Sequence, residues 1–320
     1  MAQLGDTIIK GDLNVLGNIS TNGTLTAASD SYTKTEIDTK LNAKANSSDV
    51  YTKTEIDTKL NTKTETDTEL NTNNDFKNAG THNSLYRGKD ITNLFYDGTL
   101  SQQIAAETFD DIYIGDYIIG KVSGRKYLVA DINYRLHCGD TECTTPHVLM
   151  IPEKIMGTAE MNSGNSAGGA YVGSEMYRYK LDPFKTIIKN DFGAGHILKH
   201  RNIFAYTIGD EYEEYESAGK WYDSEIELMN ECMVYGSNIF HNIKHGNNVP
   251  YNCTIDKSQL SLFRLDKSKI VARNDNNERA RYWLRDVVSH ITFSSVSSYG
   301  VASYGYASDA NGVRPAFLIY

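Results

Sequence analysis

Along the first eighty residues apolar side chains are sparse but regularly placed. Between Gly5 and Ala28, polar and apolar positions alternate through Ile8–Ile19, with Gly11 and Gly17 as punctuation. Leu13 and Val15 fall on one face at period two, which predicts short strands separated by tight turns. An internal repeat follows. Tyr32–Asn42 (YTKTEIDTKLN) recurs as Tyr51–Asn61, and a decayed copy occupies Thr62–Asn71. Each full copy carries Ile and Leu four residues apart, Ile37 with Leu41 and Ile56 with Leu60. That spacing puts both on one helix face, while Lys, Glu, Asp and Thr fill the rest. A narrow apolar stripe fits a multi-chain coiled coil. The frequent Thr lowers helix propensity, so a flexible polar linker is the alternative. In either case the segment is a spacer.

Beyond residue 80 the pattern changes to short apolar runs rich in β-branched and aromatic residues. Asp111–Ile114, Asp116–Ile119, Lys126–Ile132, His147–Ile151 and Arg314–Ile319 read as strands. Helical turns are expected over Ile91–Phe95 and Ser101–Phe109. Longer helices are expected over Gly173–Leu181, capped by Ser174, and Ser224–Glu231, capped by Ser224. Many strands with few helices give an α+β class.

Composition sharpens the boundary. Residues 1–80 hold no Pro, no Cys and three aromatics, Tyr32, Tyr51 and Phe76; the chain has 34 aromatics in all, so 31 lie beyond. So few large apolar groups cannot form a core within one chain; order requires an interface shared between copies. The expected organisation is a β-rich attachment and trimerisation segment over 1–30, a repeat-containing coiled-coil stalk over 31–80 and a globular domain over 81–320. Leu13, Val15, Ile37, Leu41, Ile56 and Leu60 would line the trimer interface.

The net charge of -9 disfavours sequence-independent binding to nucleic acid or anionic lipid. No apolar stretch is long enough to span a membrane. The N-terminus carries neither a basic start nor an apolar h-region, so the chain is expected to be made in a cytoplasm without a signal peptide.

Candidate chemistry is thin. Four cysteines are too few for a disulfide scaffold. His137, Cys138, Cys143 and His147 have zinc-compatible spacing, but free thiols or a Cys138–Cys143 disulfide fit the same hairpin. His196 and His200 are four apart without an HExxH pattern, and the acidic run Asp210–Glu216 lacks a calcium-loop pattern. No phosphate loop, nucleophile elbow or acid pair stands out, so no catalytic residue, metal or cofactor is assigned.

The richest segment is Ser289–Asn311, dominated by Ser, Tyr, Gly, Ala and Asn. Antibody loops use the same mix: Tyr supplies rigid amphipathic area, Ser and Asn adaptable hydrogen bonds. Tyr299, Tyr304 and Tyr306 are suited to stacking on a partner, with His290, Thr292, Ser294, Asp309 and Asn311 as polar contacts. Trp283 is expected in the core. Arg285 and Arg314 are expected to pin the display loops by pairing with a carboxylate or carbonyls.

The order IGDYI, YLVADINY, MNSGN…GGAYVGSEMYRYKL, FGAGHILKHR, EIELMNECMVYGSNIF, YWLRD and GVRPAFLI resembles the C-type-lectin-like domains of phage tropism determinants, over roughly residues 110–320. The pair Tyr282–Arg285 and Gly312–Phe317 is its most specific part. GDLNVLGNIS and the YTKTEIDTKL repeats resemble separate tail-fibre stalk elements. The resemblance implies an extended trimeric β/coiled-coil stalk followed by a C-type-lectin-like domain, with a variable surface between the WLR and VRPA segments. It implies a virion tail-fibre protein that adheres to a bacterial surface receptor, polysaccharide or protein, and joins tail or baseplate proteins through its N-terminus. The Glu-Pro-Asn and Gln-Pro-Asp tripeptides of animal C-type lectins do not occur, which leaves a calcium-bridged sugar site unsupported. Two other readings remain: a tail-tip cell-wall or polysaccharide-degrading enzyme, which needs paired carboxylates in a cleft, and a purely structural fibre or baseplate component.

Overall fold

The computed structural model describes residues 34–45, 79–208, 216–240 and 258–320. The chain divides into two units, Met1–Thr72 and Asn73–Tyr320. In the first, the helix Lys34–Ala45 covers the first repeat, with a Lys34–Asp38 ion pair at 2.7 Å and Thr39 Oγ1 donating to Thr35 O. Ile37 is exposed in it. Leu13, Val15, Ile56 and Leu60, and the side chain of Leu41, lie outside the described residues.

The second unit is mostly sheet with short helices. In chain order its strands are β1 (Tyr117–Ile119), β2 (Lys126–Ile132), β3 (Val148–Pro152), β4 (Thr158–Ala159), β5 (His200–Ile208), β6 (Glu216–Ser224), β7 (Ile226–Leu228), β8 (Ala272–Arg273), β9 (Arg279–Ala280), β10 (Tyr282–Ser289), β11 (Thr292–Val296), β12 (Ala302–Tyr306), β13 (Asn311–Gly312) and β14 (Pro315–Ile319). One five-stranded sheet runs β1-β2-β3-β14-β7, antiparallel throughout. The other runs β12-β11-β10-β13-β4, with β10 and β13 parallel.

The first sheet holds the larger core. Every residue of β3 and β14 is buried, as continuous apolar runs predict for strands covered on both faces. Pro315 opens β14, where its missing N–H does least harm to the ladder. Tyr127, Phe192 and Phe317 pack edge to face at 5.0–5.6 Å, joining this sheet to the helix Asp182–Phe192. A smaller core gathers Trp283, Phe293, Tyr171, Phe204 and Leu228 beneath the second sheet.

Two expected helices differ. Ser224–Glu231 is not helical: Ile226–Leu228 pairs with Phe317–Pro315 as β7, and the helix begins only at Glu231–Tyr235, where Asn230 Oδ1 accepts from Met233 N–H at 2.7 Å. The burial gained by completing a sheet around β14 outweighs local helix preference. Gly173–Leu181 becomes a helical turn at Ala170–Gly173 and a π-turn at Met176–Lys180, with Ser174 Oγ accepting from Tyr177 N–H at 3.2 Å.

A buried polar network ties β5, β6 and β7 to the chain after β2. Glu227 Oε1 accepts from Arg135 Nη2 at 2.8 Å and Asn202 Nδ2 at 2.9 Å, with His200 Nε2 at 3.3 Å and the Ser224 hydroxyl on Oε2. Burial opposes ionisation of Glu227, but the neighbouring His200, Arg135 and Arg285 overcome it and hold the carboxyl below its ordinary range.

Candidate functional site

The segment Ser289–Asn311 folds as a hairpin at the edge of the second sheet. The register pairs Thr292 with Tyr306, Phe293 with Gly305 and Ser294 with Tyr304. Side chains alternate across a strand, so β12 directs Tyr304 and Tyr306 one way and Gly305 the other. Both tyrosines are about half exposed, at 53% and 52%, on an edge strand. Gly305 is required where it is: a Cβ there would meet the Trp283 ring at 2.9 Å. Trp283 is fully buried beneath the hairpin, its Nε1 donating to Ala159 O at 2.8 Å. Small, large and polar residues therefore have distinct tasks along one strand.

Two of the expected contacts are buried on the tyrosine face. Ser294 is buried, and its hydroxyl donates to Glu231 Oε1. Glu231 is itself fully buried and accepts from Ile239 N–H at 2.6 Å and Phe240 N–H at 3.1 Å. The Phe240 ring then packs edge-on against Tyr304 at 5.5 Å. Ser294 thus links the hairpin, through one carboxylate, to the backbone that carries a neighbour of the displayed ring. Thr292 is also buried, its hydroxyl hydrogen-bonded to Ser289 Oγ at 2.7 Å in the β10–β11 turn. Ser294 shares the face of its cross-strand neighbour Tyr304, yet it is a supporting residue and not a surface contact, because Glu231 covers it.

The remaining candidates separate to the two ends of the hairpin. Tyr299, 75% exposed, caps the β11–β12 turn together with exposed Val301. Gly300 makes that turn possible with φ +82°, and its Cα approaches Val271 so closely that a Cβ would stand 2.9 Å from it. His290 is exposed at the opposite end, beside the turn held by Asp309, whose carboxylate accepts from Tyr306 N–H at 2.9 Å. Five residues of strand separate the ends, about 16 Å. The loop 162–168 braces the His290 end. Asn162 N–H donates to Ala307 O at 2.9 Å and Ala167 N–H to His290 O at 2.7 Å, while Ser308 donates to Asn165 Oδ1.

A cleft of 540 Å³ lies along the hairpin, lined by Arg281, Val288, Ser289, Ile291, Thr292, Tyr304, Gly305, Tyr306 and Asp309. It combines two aromatic rings, one cation, one carboxylate and hydroxyl groups, within the usual size range for small-ligand sites. Arg281 Nη1 donates to Tyr304 O at 3.2 Å and so closes one wall. Of the eight expected contacts, Thr292, Tyr304, Tyr306 and Asp309 line the cleft; His290, Ser294, Tyr299 and Asn311 do not. Asn311 is half-buried in β13 beneath the strand, and its Nδ2 has no hydrogen-bond partner among the described residues.

The two arginines hold the surroundings through carbonyls. Arg285 Nη1 donates to Leu228 O at 2.8 Å, and its guanidinium lies 5.2 Å from the Phe204 ring centroid. Burial lowers its pKa from the ordinary value, with Glu227 acting in the opposite direction. Arg314 Nε donates to Pro152 O and Nη1 to Lys269 O, both at 2.9 Å. It therefore joins the chain beyond β3 to the turn before β8.

The cysteine–histidine segment is a hairpin: His137 N–H donates to Cys143 O, and Cys143 N–H donates to Cys138 O. Cys138, Cys143 and Cys232 form no disulfide with one another, and burial raises the pKa of Cys143. His147 is buried with Arg135 N–H on Nε2 at 3.0 Å and Thr145 O on Nδ1 at 2.8 Å. Nε2 must accept, so Nδ1 carries the proton; burial pushes the pKa down to about 4. Among the described residues no group of three or more His, Cys, Asp or Glu is arranged to hold a metal ion. His196 ends a 3-10 turn and His200 opens β5, so they do not share a helix face. Cys253 and residues 210–215 of the acidic run lie outside the described residues.

Sequence reasoning missed Phe240, Arg281 and the bracing role of the loop 162–168. Each reaches the hairpin through tertiary pairing, and no local pattern marks them.

A family model described as a domain of unknown function, DUF6273, matches residues 240–320, a span that includes the whole hairpin. Comparison with curated proteins and with solved structures gives no match.

Proposed function

We propose that this chain is a tail-fibre receptor-binding protein of a phage or phage-tail-like particle. The β12 cleft contacts a bacterial surface receptor, and the N-terminal segment trimerises and joins the tail or baseplate. The carrying observation is the pair of half-exposed tyrosines, Tyr304 and Tyr306, on a strand fixed from both sides: Trp283 packs behind Gly305, and Glu231 anchors Ser294, the neighbour of Tyr304 on the tyrosine face. Two aromatic faces beside Arg281, Asp309 and hydroxyl groups suit a saccharide, whose apolar faces stack and whose hydroxyls hydrogen-bond. Asp309 is the one carboxylate among the lining residues, and its oxygen is committed to Tyr306 N–H. Glycoside hydrolysis uses two carboxyl groups across the bond, so the cleft favours adhesion over cleavage.

Three copies on one stalk raise weak single-site affinity through effective concentration. The test is a binding screen of fluorescently labelled full-length protein on a panel of bacterial strains, paired with its mass by light scattering. Strain-selective binding by a trimer is expected. A monomer, or uniform indifference across a panel that includes the host, contradicts the proposal.

A further inference from the structure

A second cleft, of 390 Å³, lies apart from the tyrosine strand and has the opposite chemistry. Its lining includes Lys154, Lys269, Arg273, Arg279 and Arg314 against one carboxylate, Glu153. Glu153 already pairs with Lys126 at 3.3 Å. The other acids on nearby segments are engaged too. Asp275 binds Arg125 at 3.0 Å, Glu278 accepts from Asn274 Nδ2 at 2.8 Å, and Asp266 caps Ser268. Among the described residues Lys154, Lys269 and Arg279 have no ion-pair partner.

Two features show that this is more than a solvated basic face. Arg273 and Arg279 stand directly opposite in the β8–β9 pair, an arrangement that like charges disfavour. Arg314, only 1% exposed, meets carbonyl oxygens of Pro152, Lys269 and Glu153 and no carboxylate. Its charge is buried and held by carbonyl dipoles and the rings of Tyr282 and Phe263, at the wall of a cleft already rich in cations. A buried charge without a counter-charge is costly. This concentration occurs in a chain whose net charge is -9, so general composition does not produce it.

We propose that the Lys154–Lys269–Arg279 cleft binds an oxyanion of the phosphate class carried on a small ligand or repeating unit. Lys154 and Lys269 supply compact charges, and Arg279 and Arg273 supply paired N–H donors matched to phosphate oxygens. The cleft volume accommodates a phosphate with an attached sugar-sized body. An adjoining cleft of 350 Å³ shares Glu153 and Lys154, leaving space for the ligand to continue.

The experiment is isothermal titration of the full-length chain with inorganic pyrophosphate, glucose 1-phosphate and glucose, at low ionic strength and again near 0.15 M salt. Saturable binding of both anions, absence of binding by glucose and weakening by salt are expected. Lys154→Gln, Lys269→Gln and Arg279→Gln should each weaken binding about fivefold, the effect of one unit charge at contact in a water-like medium. Arg273→Gln, at an exposed position, provides the same measurement if a lysine variant unfolds. Tyr304→Ala/Tyr306→Ala should leave anion affinity unchanged, which separates this site from the adhesion proposal. No saturable anion binding by the wild type, or equal affinity in the charge variants, overturns it.

Discussion

The two five-stranded sheets share one unit but use opposite designs. In the sheet centred on β14, strands β3 and β14 are buried at every position. In the sheet centred on β10, the edge strand β12 leaves Tyr304 and Tyr306 half exposed and buries only the glycine between them. The first sheet buries its inner strands β3 and β14, whereas the second buries β11 and most of β10 but displays side chains on its edge strand β12. The contrast teaches that display here depends on support from both faces: Trp283 packs behind Gly305, while Ser294 and Glu231 fix the tyrosine face beside Tyr304.

If that contrast holds, substitutions should separate stability from binding. The largest effect is expected at Glu227→Ala in the buried network beside β7. Removing the carboxylate breaks its buried 2.8 Å ion pair with Arg135, which should cost about 3–5 kcal/mol in chemical denaturation.

Next is a pH effect. Burial depresses His147 to about 4 from 6.5, so below pH 6.5 the unfolded chain takes a proton that the folded one refuses. Its contribution is complete above pH 6.5 and is lost as pH falls toward about 4, roughly 3 kcal/mol in total. Asp131 acts in the reverse sense. Burial raises it to about 6 from 3.8, so its contribution is complete below 3.8 and is lost as pH rises through 6. The difference in unfolding free energy between wild type and His147→Gln cancels Asp131, and should grow by about 3 kcal/mol from pH 4 to 7. A flat difference would mean the imidazole is solvated.

Gly305→Ala drives a methyl toward the Trp283 ring and should destabilise by about 1–3 kcal/mol while also lowering receptor binding. The smallest stability change belongs to Tyr306→Ala, below about 0.5 kcal/mol by thermal melting, because the ring is half exposed. A large loss of stability there would erase the distinction between the sheets.

The sequence was legible where apolar runs and turn residues agreed. Lys126–Ile132, Val148–Pro152 and Pro315–Ile319 stand as strands within about a residue of their expected bounds. Ser224–Glu231 misled because its Ser cap and acidic first turn are local signals, whereas pairing with Pro315–Phe317 is not. In the site, composition marked the hairpin and the tyrosines. It could not show that Glu231, far earlier in the chain, covers Ser294, nor that Phe240 lies against Tyr304. Alternation along a strand identifies two faces; a distant element decides which positions on a face are covered.

The most direct test compares labelled wild type with Tyr304→Ala/Tyr306→Ala on a strain that the wild type binds. The account predicts loss of cell binding with an unchanged melting temperature and unchanged oligomeric mass. Undiminished binding by the folded double variant would contradict it.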